Sequence, residues 1–271
     1  MSAVYILAHF DDEYCALPLI WQAAREGLEQ RFIYLADYRD AALGARRLAE
    51  TRVFLARQGM APAAVIPLGL GTGAFDQSLH RCVDALFPTL ERAVARIGGV
   101  TRLVAPAWEG GHMDHDACAF MAVRLASRLG APELRQFTLY NGPGRPGPLL
   151  RGGAPLVENG PVEPIRLSPQ EWLRWMGAVR AFPSQLYAWS GIWPAMFAGH
   201  LLRGAGWQRL APERVEERPH AGSMFYERMF KTPYEEVRAA LDAALPRAAD
   251  QPDRPFGDCG PTGFRDGSRA T

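Results

Sequence analysis

The first 140 residues alternate short apolar runs with longer segments of helical periodicity, and this alternation restricts the fold more than any other feature. Strands alternating with helices predict βαβ units with right-handed crossovers around a parallel sheet. We therefore predict an α/β fold whose core, residues 1–140, is a doubly wound layer. The apolar runs predict buried strands at 3–9, 31–37, 63–70, 101–107 and 134–140, and the intervening segments 17–29, 42–59, 75–98 and 114–130 predict helices.

The amino-acid composition of the chain changes after Tyr140. Residues 141–164 are dense in glycine and proline, which indicates a long irregular segment. Two further helices are predicted, one beginning after Ser168 and one around 191–203. We predict one domain over 1–250, with 141–250 as an elaboration of the core, and a flexible tail at 251–271, which contains Cys259.

Charge and composition exclude several classes of function. The chain has 30 basic and 29 acidic residues, so no global field attracts nucleic acid or an anionic membrane. Its N-terminal apolar run is too short for a signal peptide, and no stretch approaches the roughly 20 apolar residues of a membrane span. These features favour a cytoplasmic enzyme or binding protein that takes a small molecule, with homo-oligomerisation left open.

Two polar clusters follow predicted strands. The stretch LAHFDDE places His9, Asp11 and Asp12 directly after the first strand, and AWEGGHMDHDAC places His112 and His115 after the fourth. In open α/β sheets, ligands bind outside the carboxyl ends of the strands. We therefore expect the two clusters to meet at one site, although neither motif alone would be specific.

The residue types in these clusters suit a transition metal. His9, His115 and one of the two adjacent aspartates supply the open three-ligand set of a catalytic zinc site, which leaves a position for water. Zinc lowers the pKa of bound water from about 15.7 to about 7. The other aspartate is then a natural general base, and His112 can stabilise an oxyanion or protonate a leaving amine. Iron(II) and cobalt would accept the same ligands.

A binding protein or a magnesium-dependent nucleotide-sugar enzyme is the competing hypothesis. It would use the acids near residue 11 to bridge a metal and a phosphate. The histidines argue against it because magnesium prefers oxygen ligands. No GxGxxG motif follows the first strand, so a dinucleotide site is also unsupported.

Together, AHFDDE and HMDH resemble the two motifs of the LmbE-like, or PIG-L, family of zinc-dependent N-acetylglucosaminyl deacetylases. The first motif of that family usually reads Ala-His-Pro-Asp-Asp-Glu, and the second reads His-x-Asp-His. The resemblance covers about residues 1–190. It implies a Rossmann-like, mostly parallel sheet with helices on both faces, and hydrolysis of an acetamide on a glucosamine unit.

The resemblance also implies roles for individual residues. By position, His9, Asp12 and His115 match the metal ligands. Asp11 matches the general base. His112 matches the residue that stabilises the tetrahedral intermediate or acts as an acid.

Other positions are matched more loosely. Asp114 corresponds to the intervening acid, which would orient an imidazole as part of the catalytic set. RRLAE around Arg47 resembles an Arg-x-x-Glu that meets the sugar, with pairing to a nearby glutamate as the alternative, and SQLYAW at 184–189 resembles a Ser-Gln pair. Phe10 replaces the usual proline and is expected to narrow or cap the pocket. Tyr140 is expected to approach the site from the fifth strand.

The predicted function is that of a zinc-dependent amide hydrolase that removes an N-acyl group, most often acetyl, from an amino sugar or its conjugate. The alternative keeps the amidase but takes a secondary-metabolite or longer-acyl conjugate. The Gly/Pro-rich segment and the tryptophans motivate that alternative, since their rings could stack on a sugar or an aryl group, while core packing or an oligomer interface would also use them. These tryptophans are Trp172, Trp175, Trp189 and Trp193.

Overall fold

The computed structural model describes residues 1–130 and 132–244, in which a mixed sheet forms the centre. The strands are β1 Ser2–Leu7, β2 Glu29–Tyr34, β3 Val65–Ile66, β4 Val100–Pro106, β5 Glu133–Phe137, β6 Tyr140–Asn141, β7 Arg151–Gly152, β8 Glu163–Ile165 and β9 Ala205–Arg209. The central sheet has the strand order β3-β2-β1-β4-β5-β9-β8. Strands β1 to β5 are parallel, whereas β9 and β8 are antiparallel to their neighbours, which confirms the predicted mostly parallel sheet.

Helices cover both faces of this sheet. Successive side chains of β1 point to opposite faces, so Val4 and Ile6 belong to the core cluster that includes residues of the helices at 83–97 and 113–128, whereas Tyr5 and Leu7 belong to the cluster that includes residues of the helices at 17–25 and 186–203. The doubly wound architecture predicted from the sequence is thereby confirmed. The helices are α1 Asp12–Cys15, α2 Leu17–Arg25, α3 Ala41–Ala56, α4 Val83–Ile97, α5 Met113–Arg128, α6 Pro169–Gly177, α7 Leu186–Arg203, α8 Phe225–Met229 and α9 Tyr234–Ala244.

The strand order places a cleft at one end of the sheet. The chain runs outward from β1 through β2 to β3 and then returns to β4 on the other side of β1. At such a reversal the loops that follow the two neighbouring strands separate, and ligands bind between them. The loops after β1 and β4 are the two that carry the polar motifs.

Several predicted boundaries were wrong, and the strand predicted at 63–70 is reduced to Val65–Ile66. The segment 75–82 is a turn followed by one 3-10 turn, because Gln77 has a φ of 70° that an α-helix cannot accommodate. Helix α4 therefore begins at Val83, and it continues through Pro88. Helix α7 begins at Leu186, earlier than predicted. The segment 141–164 also contributes β8 to the sheet.

Some predictions lie outside the described residues. These are the tail at 251–271 with Cys259, and the end of the predicted domain beyond Ala244. The single-domain assignment for 1–250 therefore stays a prediction. Within residues 1–130 and 132–244, none of the helices combines the length and apolar character of a membrane-crossing segment.

Candidate metal centre

The loops after β1 and β4 bring three histidine rings together. The ring centroids of His9 and His112 are 4.9 Å apart, and the ring of His115 lies 5.3 Å from the first and 5.2 Å from the second. All three side chains are buried. The two sequence clusters therefore meet at one site, because β1 lies beside β4 in the sheet.

His9, Asp12 and His115 offer donor atoms that lie within 4.8 Å of one another. Nε2 of His115 is 3.0 Å from Oδ1 of Asp12, and Nδ1 of His9 is 3.9 Å from the same oxygen. Ligands about 2.1 Å from a tetrahedral ion lie about 3.4 Å apart, a value between these two distances. The donor set therefore fits a zinc-sized ion with small side-chain adjustments.

Backbone donors orient Asp12 at the start of α1. Its Oδ2 accepts the N–H groups of Ala8 at 2.9 Å and His9 at 2.8 Å, which leaves Oδ1 directed at His115. Burial alone would raise the pKa of this carboxyl, but the neighbouring His115 and His9 hold the pKa well below its usual range. Asp12 is therefore an ionised carboxylate with one oxygen available to a metal.

Two carboxylates orient the ring of His9. Its Nε2 lies 3.0 Å from Oδ2 of Asp114 and 3.1 Å from Oδ1 of Asp76, so this nitrogen carries the proton and Nδ1 is left for a metal. Burial opposes protonation, yet the two acids raise the pKa of His9 well above its ordinary value, so a metal at Nδ1 would displace a proton from the ring. A carboxylate behind a ligating histidine is the usual way in which proteins orient such a ring.

Asp114 also determines the shape of the neighbouring loop. Its two oxygens accept the backbone N–H groups of Gln77 at 2.7 Å and Leu79 at 3.0 Å. These bonds hold the segment after Phe75 in its turn and carry Asp76 into the site. Because both oxygens of Asp114 are already engaged, it is better suited to orienting His9 than to binding a metal itself.

Asp76 is a site residue that sequence reasoning missed. Besides its contact with His9, its Oδ1 lies 3.8 Å from Nε2 of His112. Burial would raise the pKa of this carboxyl, but His9 and His112 lower it. The segment around Asp76 was interpreted as helical, although the glycines of GLGTG at 69–73 indicated a loop at this edge of the sheet.

His112 caps helix α5. Its Nδ1 accepts the N–H of Asp114 at 3.2 Å, so in the neutral ring the proton is on Nε2, the nitrogen nearer Asp76. Burial lowers the pKa of His112 to about 4, which keeps the ring neutral near pH 7. The ring of Phe230 packs on it edge to face at 5.0 Å. His112 thus offers a fixed N–H donor.

A cavity of about 250 Å³ opens over these residues. Asp11, Arg47 and Tyr140 line it. Burial raises the pKa of Asp11 well above its usual range, and the charge of Asp12 adds to this effect. The guanidinium of Arg47 lies over the ring of Tyr38 at 5.0 Å.

The structure does not place the ring of Phe10 in the cavity. The side chain is 1% exposed, and its ring lies 4.8 Å from that of Tyr34 and 5.6 Å from that of Tyr38. Packing in this aromatic core, rather than contact with a ligand, therefore accounts for an aromatic residue at this position. The expectation that Phe10 narrows or caps the pocket is corrected accordingly.

The Arg-x-x-Glu segment that contains Arg47 contacts the Ser-Gln pair at 184–185. The hydroxyl of Ser184 donates to Oε2 of Glu50 at 2.6 Å, and the N–H of Ser184 donates to Oε1 at 3.0 Å. Glu50 therefore joins helix α3 to the segment before α7 instead of pairing with Arg47. Arg47 is then available to a ligand in the cavity, which it lines.

The tryptophans of the C-terminal region have different surroundings. Trp172 and Trp193 line an apolar cavity of about 630 Å³ between α6 and α7. Trp175 is a core residue at 1% exposure. Trp189 lies between the two cavities and lines both of them.

Glu109 anchors the chain that carries Tyr140, a role not anticipated from the sequence. Its Oε1 accepts the N–H groups of Leu139 at 2.7 Å and Tyr140 at 3.1 Å. Its Oε2 accepts hydrogen bonds from Oγ1 of Thr138 at 2.6 Å and Nδ2 of Asn141 at 3.0 Å. One buried carboxylate thus joins the exits of β4 and β5.

We expect Glu109→Ala to lower the free energy of unfolding by about 3 kcal/mol or more, because it leaves several buried donors without an acceptor. Urea unfolding followed by far-ultraviolet circular dichroism measures the change. Glu213→Ala, at an exposed position, is the control and should change stability by less than about 0.5 kcal/mol. Equal stability of the two variants would contradict the anchoring role.

Comparisons with known proteins establish the fold. No protein-family model matches the sequence, and no curated protein matches it. A zinc-inhibited form of a teicoplanin deacetylase is similar at 14% identity and a TM-score of 0.54, over 77% of this chain and 96% of that one. A conserved protein from Thermus thermophilus is similar at 20% identity and a TM-score of 0.51, over 77% of this chain and 93% of that one. An N,N'-diacetylchitobiose deacetylase from Pyrococcus horikoshii is similar at 16% identity and a TM-score of 0.51, over 81% of this chain and 87% of that one.

Proposed function

We propose that this protein is a metal-dependent hydrolase that removes an N-acyl group, most often acetyl, from an amino sugar or its conjugate. The observation that carries the proposal is the convergence of His9, Asp12 and His115 within 4.8 Å, beside the partly buried carboxyl of Asp11. The comparisons support it, because two of the solved structures with this fold are deacetylases, of teicoplanin and of diacetylchitobiose.

His9, Asp12 and His115 would hold the ion. Two imidazoles and a carboxylate suit zinc, iron(II) or cobalt better than magnesium. When bound, such an ion supplies Lewis-acid chemistry that makes water a nucleophile near neutral pH. Asp114 and Asp76 would orient the ring of His9 for this task.

Asp11 is the proposed general base. It would take a proton from the attacking water, and the raised pKa of this carboxyl brings it closer to the working pH. The Nε2–H of His112 would donate to the oxyanion that develops on the amide oxygen. The proton held by Asp11 would then pass to the nitrogen as the C–N bond breaks, releasing the amine and the carboxylate.

The remaining polar side chains of the cavity would recognise the sugar. Asp76 can accept hydrogen bonds from hydroxyl groups, and Arg47 can donate to them. Burial raises the pKa of Tyr140 far above its ordinary value, so its phenol stays protonated and can also donate. Several convergent polar groups in one small cavity are typical of a site for a polar small molecule.

Metal content and amine release, measured on the same preparation, test the proposal. Chelation should abolish amine release from N-acetylglucosamine, N,N'-diacetylchitobiose or a longer N-acyl glycoconjugate, and adding back an ion should restore it. Zinc, iron(II) and cobalt are compared because one solved structure of this fold is a zinc-inhibited form. A preference that rises with acyl length would favour the longer-acyl alternative. Magnesium bound to the protein, without amine release, would contradict both the proposed function and its longer-acyl alternative.

A further inference from the structure

One turn of helix α7 holds the loop that carries Asp11. Gln185, which immediately precedes the helix, donates its Nε2–H to the carbonyl oxygen of Phe10. Trp189, four residues later, donates its Nε1–H to Oδ2 of Asp11 at 2.9 Å. Gln185 is the N-cap of α7 and Trp189 lies in its first turn, so the two donors reach consecutive residues of the same loop.

The backbone at Asp11 needs such support. Its φ of 147° and ψ of −13° lie in a region that residues with a Cβ rarely adopt. A conformation of this kind persists only where the surroundings determine it. The neighbouring bonds meet this need, because the N–H of Asp11 donates to Oε2 of Glu13 at 3.1 Å and the N–H of Phe10 donates to the hydroxyl of Tyr38 at 3.1 Å.

The two donors of α7 are themselves held in place. Gln185 is 5% exposed and Trp189 is 6% exposed. The ring of Tyr14 packs edge to face on the indole of Trp189 at 4.9 Å. Ser184, next to Gln185, is bound to Glu50 of α3 by two hydrogen bonds. The first turn of α7 is therefore braced against two other elements.

We propose that Trp189 is a positioning residue for Asp11, with Gln185 fixing the backbone of the same loop. The indole N–H binds Oδ2, which leaves Oδ1 as the oxygen that accepts the proton from water. The kinetic form of this proposal rests on the proposed function. Its structural form, the hydrogen bond between the indole and the carboxylate, does not.

Trp189→Phe removes the indole N–H and keeps an aromatic ring against Tyr14. We expect kcat to fall about 10-fold to 100-fold, as is typical when a supporting hydrogen bond of a metal site is lost, with KM within about 3-fold and an unchanged metal content. Trp21→Phe is the control, because its indole lies in α2, does not line the cavity, and donates to Oε1 of Gln58 at 3.1 Å. It should keep the wild-type kcat.

A nitrogen-15 NMR spectrum of the indole N–H groups tests the hydrogen bond without any turnover. Asp11→Ala should shift the Trp189 signal and speed its hydrogen exchange, and should leave the Trp21 signal in place. An unmoved Trp189 signal would overturn the proposal, as would a wild-type kcat in Trp189→Phe. A kcat loss of the same size in Trp21→Phe would overturn it too. If the wild-type chain releases no amine, the proposed function fails, whereas the NMR result still decides the contact.

Discussion

Asp11→Asn is expected to keep its bound metal and to lose amine release by about 100-fold to 10,000-fold, the usual contribution of a general base. The amide has nearly the same shape as the carboxylate and can still accept the indole N–H of Trp189, but it cannot take a proton from water. The loss should therefore appear in kcat. Steady-state kinetics on the best substrate of the panel, with elemental analysis of the same sample, measures it.

Asp40→Asn is the matched control for this substitution. Asp40 caps helix α3 by accepting the N–H groups of Ala42 and Leu43, and asparagine caps a helix equally well. This variant should behave as the wild-type chain does. Full activity in Asp11→Asn would reject the assignment of the base and direct attention to the other acids of the cavity.

His115→Ala is expected to lose the metal and, with it, all amine release above background. The substitution leaves His9 and Asp12 as the remaining donors of the set, fewer than the three protein ligands of a catalytic zinc site. Binding to the folded state alone stabilises a protein, so saturating metal should raise the Tm of the wild-type chain and leave that of the variant unchanged. Metal stoichiometry and thermal unfolding check the two effects.

His200→Gln serves as the control, because His200 packs against Trp175 at 4.2 Å and takes no part in the metal cluster. It should keep the stoichiometry of the wild-type chain. If His115→Ala still binds one ion per chain, the ion belongs to the second group of donors, which is His9, Asp76, His112 and Asp114. Asp76→Asn would then be the variant that loses it.

The pattern of the sequence accounts for most of the core. The apolar runs that predicted strands correspond to β1, β2, β3, β4 and β5, because hydrophobic periodicity is a local property that the chain displays directly. Strands β8 and β9 escaped prediction. They pair with each other at the edge of the sheet beyond β5, a contact that no local pattern displays.

Most residues of the candidate site could also be identified from local features of the sequence. His9, Asp11 and Asp12 fall within one short motif, and His112 and His115 fall within another, so residue type and position after two strands identified them as candidates, while the family resemblance added Asp114. Their individual roles stay predictions until the variants are measured.

By itself, the sequence determined an α/β layer with two polar clusters at the carboxyl ends of two strands. Only the tertiary structure decided which other side chains join them. Asp76 enters through a loop shaped by Asp114, Phe10 turns into an aromatic core, and Trp189 reaches Asp11 across 178 positions of sequence. Such contacts depend on how helices pack onto the sheet, and that packing is a property of the whole chain.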